Sequence, residues 1–253
     1  MHTVKKLQAK KFRDESGLFI VEGEKFVREI PAHWDIQRYI FAERFVANAN
    51  MDAFKTRARC EIVTDAQFDS FSDTLAPQGV LAICHQKKES LENLTDPSFF
   101  LLGENLSDPG NIGTLIRTAA AAGVTAVILT SGSGEIYNPK VIRASAGAIL
   151  RIPVITTDTN AALDFLQSQK IALYAAHPRG ESLPYELDMR GKGCILIGNE
   201  VHGLSDEILT RVDQKIRLPM HHATESLNAS VAGGILLYEV VRQRLSPPTC
   251  KKA

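Results

Sequence analysis

A chain of 253 residues with 44% hydrophobic and 23% charged residues has room for two domains with ordinary globular cores. Its 29 Lys and Arg balance 29 Asp and Glu, so net charge alone names no polyanionic partner, and no apolar run approaches the roughly 18 residues of a membrane span. Cys60, Cys84, Cys194 and Cys250 lack CxxC spacing, which argues against a disulfide frame or zinc knuckle.

These features and an N-terminus lacking a signal-peptide core lead us to expect a cytoplasmic protein. Charge is uneven locally. Lys5, Lys6, Lys10, Lys11 and Arg13 crowd the first 13 residues with no acid among them, as suits a phosphate-contacting arm or a solvated one. Next, 17–23 (GLFIVEG) reads as a strand entering a helix over 24–30, followed by strands at 36–42, 60–63 and 79–85. Strands alternating with helices predict an α/β layer. The polar stretch 86–98 ends in Asp-Pro and marks a boundary. We therefore expect a first domain over 1–90, a linker over 91–98 and a second domain from 99 to 253.

The second half carries apolar runs at 99–105, 125–130, 151–156, 171–176, 194–200 and 215–220. Near-continuous apolar strands of this kind suit a mainly parallel sheet covered on both faces. Helices are predicted over 111–122, 139–148, 160–169, 205–211 and 227–244. Four polar or Gly-rich stretches follow apolar strands: GENLSDPGNIGTLIR, TSGSGEIYNPK, IGNEVHGLSDE and LPMHHATESLNASVAGG. Ligands of open α/β sheets gather at such strand ends.

Arg117 is the only charge between Pro109 and Gly134. A guanidinium on a helix otherwise fit for burial requires a partner, either a carboxylate such as Glu200 or Glu104, or a ligand. Gly198 and Gly203 allow close backbone approach or positive φ. Ser226 or Asn228 suits the N-cap of the last helix, though capping does not require Ser226, Asn228 and Ser230 together. Ala229, Ala232, Gly233 and Gly234 predict a helix surface that other backbone approaches closely. No P-loop, nucleophile elbow or HExxH is present, and GSGEIY keeps only two glycines of a dinucleotide fingerprint. The adjacent His221 and His222 form a poor metal pair, and we expect no metal.

NIGTLIRTAAAAG, ILIGNEVHGLSDEIL and IRLPMHHATESLNASVAGGILLYEVVRQR resemble, in order and spacing, the three motifs of the SpoU/TrmH family of RNA 2′-O-ribose methyltransferases. VKKLQAKKFRDESGLFIVEGEKFVRE is similar to the opening of the substrate-binding domain carried by ribosomal members. The resemblance implies a small N-terminal α/β RNA-binding domain joined to a trefoil-knotted α/β domain, S-adenosyl-L-methionine as methyl donor, and a homodimer. It implies cofactor contacts at Gly198, Gly203, Leu218, Met220 and Leu227. Asn111, Arg117, Glu200, Ser226 and Asn228 become the polar active-site set, and Lys5, Lys6, Lys10, Lys11, Arg13 and Lys25 the RNA contacts. For Arg117 two roles stay open, general base and phosphate anchor. The permanently protonated guanidinium favours the anchor. Ribosomal RNA is expected over transfer RNA, and a non-catalytic RNA-binding assembly factor is the rival reading.

Overall fold

The computed structural model describes residues 2–49, 51–221 and 226–246. Each expected strand forms, and together they build two sheets. In the first half, β1 (Leu18–Glu22), β2 (Ile36–Ala42), β3 (Arg59–Val63) and β4 (Val80–His85) make a sheet in the order β1-β4-β2-β3. β4 is antiparallel to both neighbours, whereas β2 and β3 run parallel. Leu18, Ile20, Ile40, Leu81 and Ile83 on one face meet Val4 and Leu7 from an unforeseen N-terminal helix, His2–Lys6. The basic opening is thus helical and partly buried, because Val4 and Leu7 lie on one side of the turn that exposes Lys5 and Lys6.

The second half supplies β5 (Phe99–Gly103), β6 (Ala126–Thr130), β7 (Val154–Thr157), β8 (Ala172–Ala176), β9 (Gly193–Ile197) and β10 (Gln214–Ile216). They are ordered β10-β8-β9-β5-β6-β7, every pairing parallel. β5, β6 and β9 are buried at every residue, as expected for a sheet covered on both sides. Phe100, Leu102, Ile128 and Leu196 pack with Leu163 and Leu166 of the Thr159–Ser168 helix. The Pro109–Ala121 and Ala229–Leu245 helices pack together, and the latter also lies on β9. The predicted small-residue surface serves this approach, since a Cβ on Gly233 would come within 2.5 Å of Leu115 Cδ2.

The two sheets belong to two compact units, but the division is not a single cut in the sequence. Glu135–Arg151 belongs with the residues up to Lys88, while Glu89–Gly134 and the chain from Ile152 onward form the second unit. The helix expected at 139–148, realised as Pro139–Ala144, is therefore part of the first unit. Long-range pairs hold this insert. Trp34 Nε1 donates to Leu150 O at 2.8 Å, and the Tyr137 hydroxyl donates to Lys87 O at 2.9 Å.

The strongest of these pairs corrects one expectation. Arg13, read as an RNA contact, is 2% exposed. Its Nε and Nη2 each donate at 2.6 Å to the Glu135 carboxylate, and Nη1 donates to Leu7 O at 2.6 Å. With both edges of the guanidinium engaged inside the protein, Arg13 is a structural residue. Arg13→Met strands the Glu135 carboxylate and should cost about 3–5 kcal/mol of stability by equilibrium denaturation, whereas Arg13→Met with Glu135→Gln should recover much of that loss.

Candidate functional site

The parallel sheet dictates where a site can form. The chain leaves β5 toward β6 on one side and leaves β9 toward β10 on the other, so the topology reverses between the adjacent strands β5 and β9. A crevice opens at the carboxyl ends of strands at such a switch point. Two of the loops singled out in the sequence emerge there: 104–108 after β5 and 198–204 after β9.

The first loop runs straight into a helix. Asp108 caps it, its carboxylate accepting from Asn111 N at 2.7 Å, and Pro109 sits where no amide partner is needed. The second loop folds back on itself, with Asn199 N donating to Gly203 O at 3.0 Å and Gly203 N to Asn199 O at 2.9 Å. Gly203 adopts φ +72°, and a Cβ on Gly198 would overlap the Gly203 carbonyl carbon and Leu204 N. Both glycines thus have a backbone reason to be there.

This folded loop carries Glu200 to the start of the Pro109–Ala121 helix. The carboxylate accepts from Ser107 N at 3.3 Å, Ser107 Oγ at 3.2 Å, Asp108 N at 3.3 Å and Asn111 Nδ2 at 3.0 Å. An anion at a helix N-terminus is favoured by the free amides and the helix dipole. Burial pushes the Glu200 carboxyl up. The bond from Asn111, with those from the backbone of Glu200, Ser107 and Asp108, outweighs it and holds the group below the usual carboxylate range. A depressed folded-state value means that the stabilisation is complete above the ordinary glutamate value and is lost as pH falls through the lowered one. The gap in thermal stability between wild type and Glu200→Gln should therefore be widest near neutrality and close below about pH 4, the ordinary glutamate range.

Asn111, 7% exposed, extends the chain of bonds: its Oδ1 accepts from Asn228 Nδ2 at 2.8 Å. Asn228 is the N-cap of the Ala229–Leu245 helix, its Oδ1 accepting from Ser230 N at 2.9 Å and Ser230 Oγ at 2.6 Å. Capping therefore falls to Asn228 rather than Ser226, and Ser230 buttresses the cap. Residues from all three motifs meet in one run, Glu200–Asn111–Asn228. Ser226 is exposed beside it in sequence, and His222 lies outside the described residues.

Arg117 does not join this run. It lies six residues, about 9 Å of helix rise, beyond Asn111. It shares an exposed stripe with Gly110, Thr114 and Ala121, and has no ion pair among the described residues. Neither carboxylate considered for it is used, since Glu104 is 3% exposed and accepts from Ser205 N at 2.7 Å and Ser205 Oγ at 2.6 Å. Of the two partners considered, a carboxylate is not found among the described residues, and the helix reads as fit for burial at this position only because Gly and Ala leave its open side unmarked in the sequence.

Leu218 and Leu227 are half-buried and Met220 is 36% exposed, leaving apolar side chains open to a ligand. Lys5, Lys6, Lys10, Lys11 and Lys25 are exposed; Lys10 and Lys11 reach Asp14 and Glu15 at 3.0 and 3.9 Å. Sequence reasoning overlooked Ser107 and Asp108 as holders of Glu200. The Asp-Pro-x-Asn capping pattern was the available signal for Asp108, while Ser107 offered none.

Known proteins resemble this chain over most of its length. Residues 98–238 match the SpoU rRNA Methylase family and residues 1–82 an MRM3-like substrate binding domain. The chain is 30% identical to the 23S rRNA (guanosine(2553)-2′-O)-methyltransferase RlmP of Bacillus subtilis, over 93% of each chain. It is 38% identical to the 23S rRNA (guanosine-2′-O-)-methyltransferase RlmB of Xylella fastidiosa over 63% of this chain and 65% of that one. The AdoMet-bound rRNA methyltransferase of Sinorhizobium meliloti superposes with a TM-score of 0.88 at 27% identity, covering 97% of this chain and 95% of that one. Sequence motifs, parallel sheet and the site at its switch point converge, and the chain belongs to the SpoU rRNA methylase family.

Proposed function

We propose that this protein transfers a methyl group from S-adenosyl-L-methionine to a ribose 2′-hydroxyl of ribosomal RNA, working in the cytoplasm as a homodimer. The observation that carries the reading is the Glu200–Asn111–Asn228 run, which joins all three motifs at the switch point of a SpoU-type sheet. The bound donor supplies an electrophilic methyl carbon. The chain's part is to hold the ribose oxygen in line behind it, and such positioning is a large source of rate.

In this reading Glu200 fixes Asn111 and the helix start, Asn111 fixes Asn228, and Asn228 presents the Ser226–Leu227 stretch to the donor. Gly198, Gly203, Leu218, Met220 and Leu227 line the donor's place. Arg117 is the phosphate anchor beside the target ribose. Its separation from the run within one chain supports a site completed across a dimer. So does the open apolar stripe of Val231, Ile235 and Tyr238, each 45–50% exposed, on the helix that Asn228 caps. We assign substrate binding to residues 1–90 and transfer to 99–253, with 135–151 lent to the first unit. The family also implies a trefoil knot in the second unit, and the β8–β10 pairing is extended past both strands by His177 N donating to Ile216 O at 2.9 Å and Arg217 N to Ser182 O at 3.0 Å.

The test is transfer of labelled methyl to under-methylated ribosomal and transfer RNA, followed by nuclease digestion. Label in nuclease-resistant dinucleotides of ribosomal RNA is the expected result. Donor binding without transfer to either RNA would sink the reading in favour of an RNA-binding assembly factor.

A further inference from the structure

In the first unit, β2 and β3 run parallel with Arg38 directly opposite Arg59. Like charges in such a pair repel unless something takes up the charge between them. Glu61 takes one edge of Arg38, its Oε2 accepting from Nη1 at 3.1 Å. Two features remain. Arg38 Nε is buried and has no hydrogen-bond partner among the described residues, and Arg59 is exposed with no ion pair among them. Buried donors are almost always paired, so an orphan of this kind points to a missing partner.

The backbone adds a third feature. Ile36 faces Cys84 and Arg38 faces Ile83, so Gln37 is an extra residue, a bulge in β2. Bulges re-aim side chains. Gln37 lines, with Thr3, Arg38 and Arg59, a shallow open cleft of about 280 Å³. Charged residues on an edge strand also discourage unwanted strand pairing. That purpose accounts for Arg59 and Glu61 on the outer strand β3, but not for an orphaned Nε or a bulge on the inner strand β2.

We infer that this cleft binds a phosphate of the RNA backbone. With Nη1 held by Glu61, Arg38 keeps its Nε–Nη2 edge for the ligand, the same edge that Arg13 uses on Glu135. That edge matches two phosphate oxygens, and a small turn of the side chain toward the cleft satisfies the orphaned donor. Arg59 supplies the second cation, and Thr3 and Gln37 supply uncharged donors. Lys5 and Lys6, exposed on the helix that carries Thr3, extend the positive surface. The inference rests on the proposed function for naming RNA as the source of the phosphate.

The test uses the full chain, an unmodified 23S rRNA transcript and fluorescence anisotropy over about 50 to 200 mM salt. Arg38→Gln and Arg59→Gln should each weaken binding by about 5- to 10-fold and lower the salt slope by about one. Both should raise KM for RNA while kcat is kept. Arg59 is exposed, so its variant carries no folding risk, and Arg38→Lys retains the charge if Arg38→Gln fails to fold. Lys55→Gln is the charge-matched control. Lys55 ends the short helix whose Phe54 packs on Tyr39 and Phe41, on the opposite face of β2 from Arg38. Unchanged affinity and slope in both variants overturns the inference while leaving methyl transfer intact. Protection of wild type by inorganic phosphate, with RNA binding unaltered in the variants, assigns the cleft to free phosphate and overturns it too. Conversely, a wild type that transfers no methyl but loses RNA affinity in these variants overturns the proposed function and keeps the cleft.

Discussion

Arg117→Ala should lower methyl transfer to ribosomal RNA by on the order of 100-fold, the loss that misplacing the reacting ribose by about 1 Å brings. Its stability should stay within about 0.5 kcal/mol of wild type, because the side chain is exposed and has no ion pair among the described residues. This combination separates a ligand contact from a structural arginine, and Arg13→Met supplies the contrast. Arg117→Lys refines the role. A phosphate anchor keeps its charge as lysine but loses the two-pronged geometry. KM for RNA should then rise with an unchanged pH–rate profile. A profile that moves with the Lys variant would instead mark the group as a proton acceptor. A fully active Arg117→Ala would remove Arg117 from the site.

Gly198→Ala should disable the site through a single added methyl group. The atoms it would strike, the Gly203 carbonyl carbon and Leu204 N, are backbone and cannot rotate aside. The loop must open, giving up the Asn199–Gly203 pair and with it the placement of Glu200. We expect a loss of about 1–3 kcal/mol of stability, the usual cost of overpacking. Donor binding measured by calorimetry and methyl transfer should both fall below detection. Gly203→Ala is the informative neighbour. Its Cβ would meet open space, so only the left-handed φ of +72° is penalised, at about 1–2 kcal/mol. Normal donor binding by Gly198→Ala would refute the loop geometry as the reason for that glycine.

The sequence was informative around the candidate site where chemistry is local. Asp108 before Pro109, Asn228 before a run of small residues, and glycines at 198 and 203 each declare a cap or a tight loop within a few residues. It failed where the partner is remote. Five cations open the chain, and nothing nearby distinguishes Arg13, whose acid is Glu135, from the four lysines that remain at the surface. The Ser107 and Glu200 contact spans 93 residues and was equally hidden. Arg117 misled in the other direction: a stripe of Gly110, Thr114 and Ala121 is silent about exposure, so the charge looked stranded among buried neighbours.

The sequence by itself determined the strands and most of the helices, the N-terminal His2–Lys6 turn excepted, because strand and helix periods and their caps are written over a few consecutive residues. It also determined the family, through three motifs whose order survives in a linear text. Only the tertiary structure decided that 135–151 leaves the second unit for the first, that β9 lies beside β5 so that Glu200 meets Asn111, and that Arg38 and Arg59 stand abreast beside a bulge. Each of these depends on which distant segments pair. That choice is made by burial summed over the whole chain, and no short window of sequence contains it.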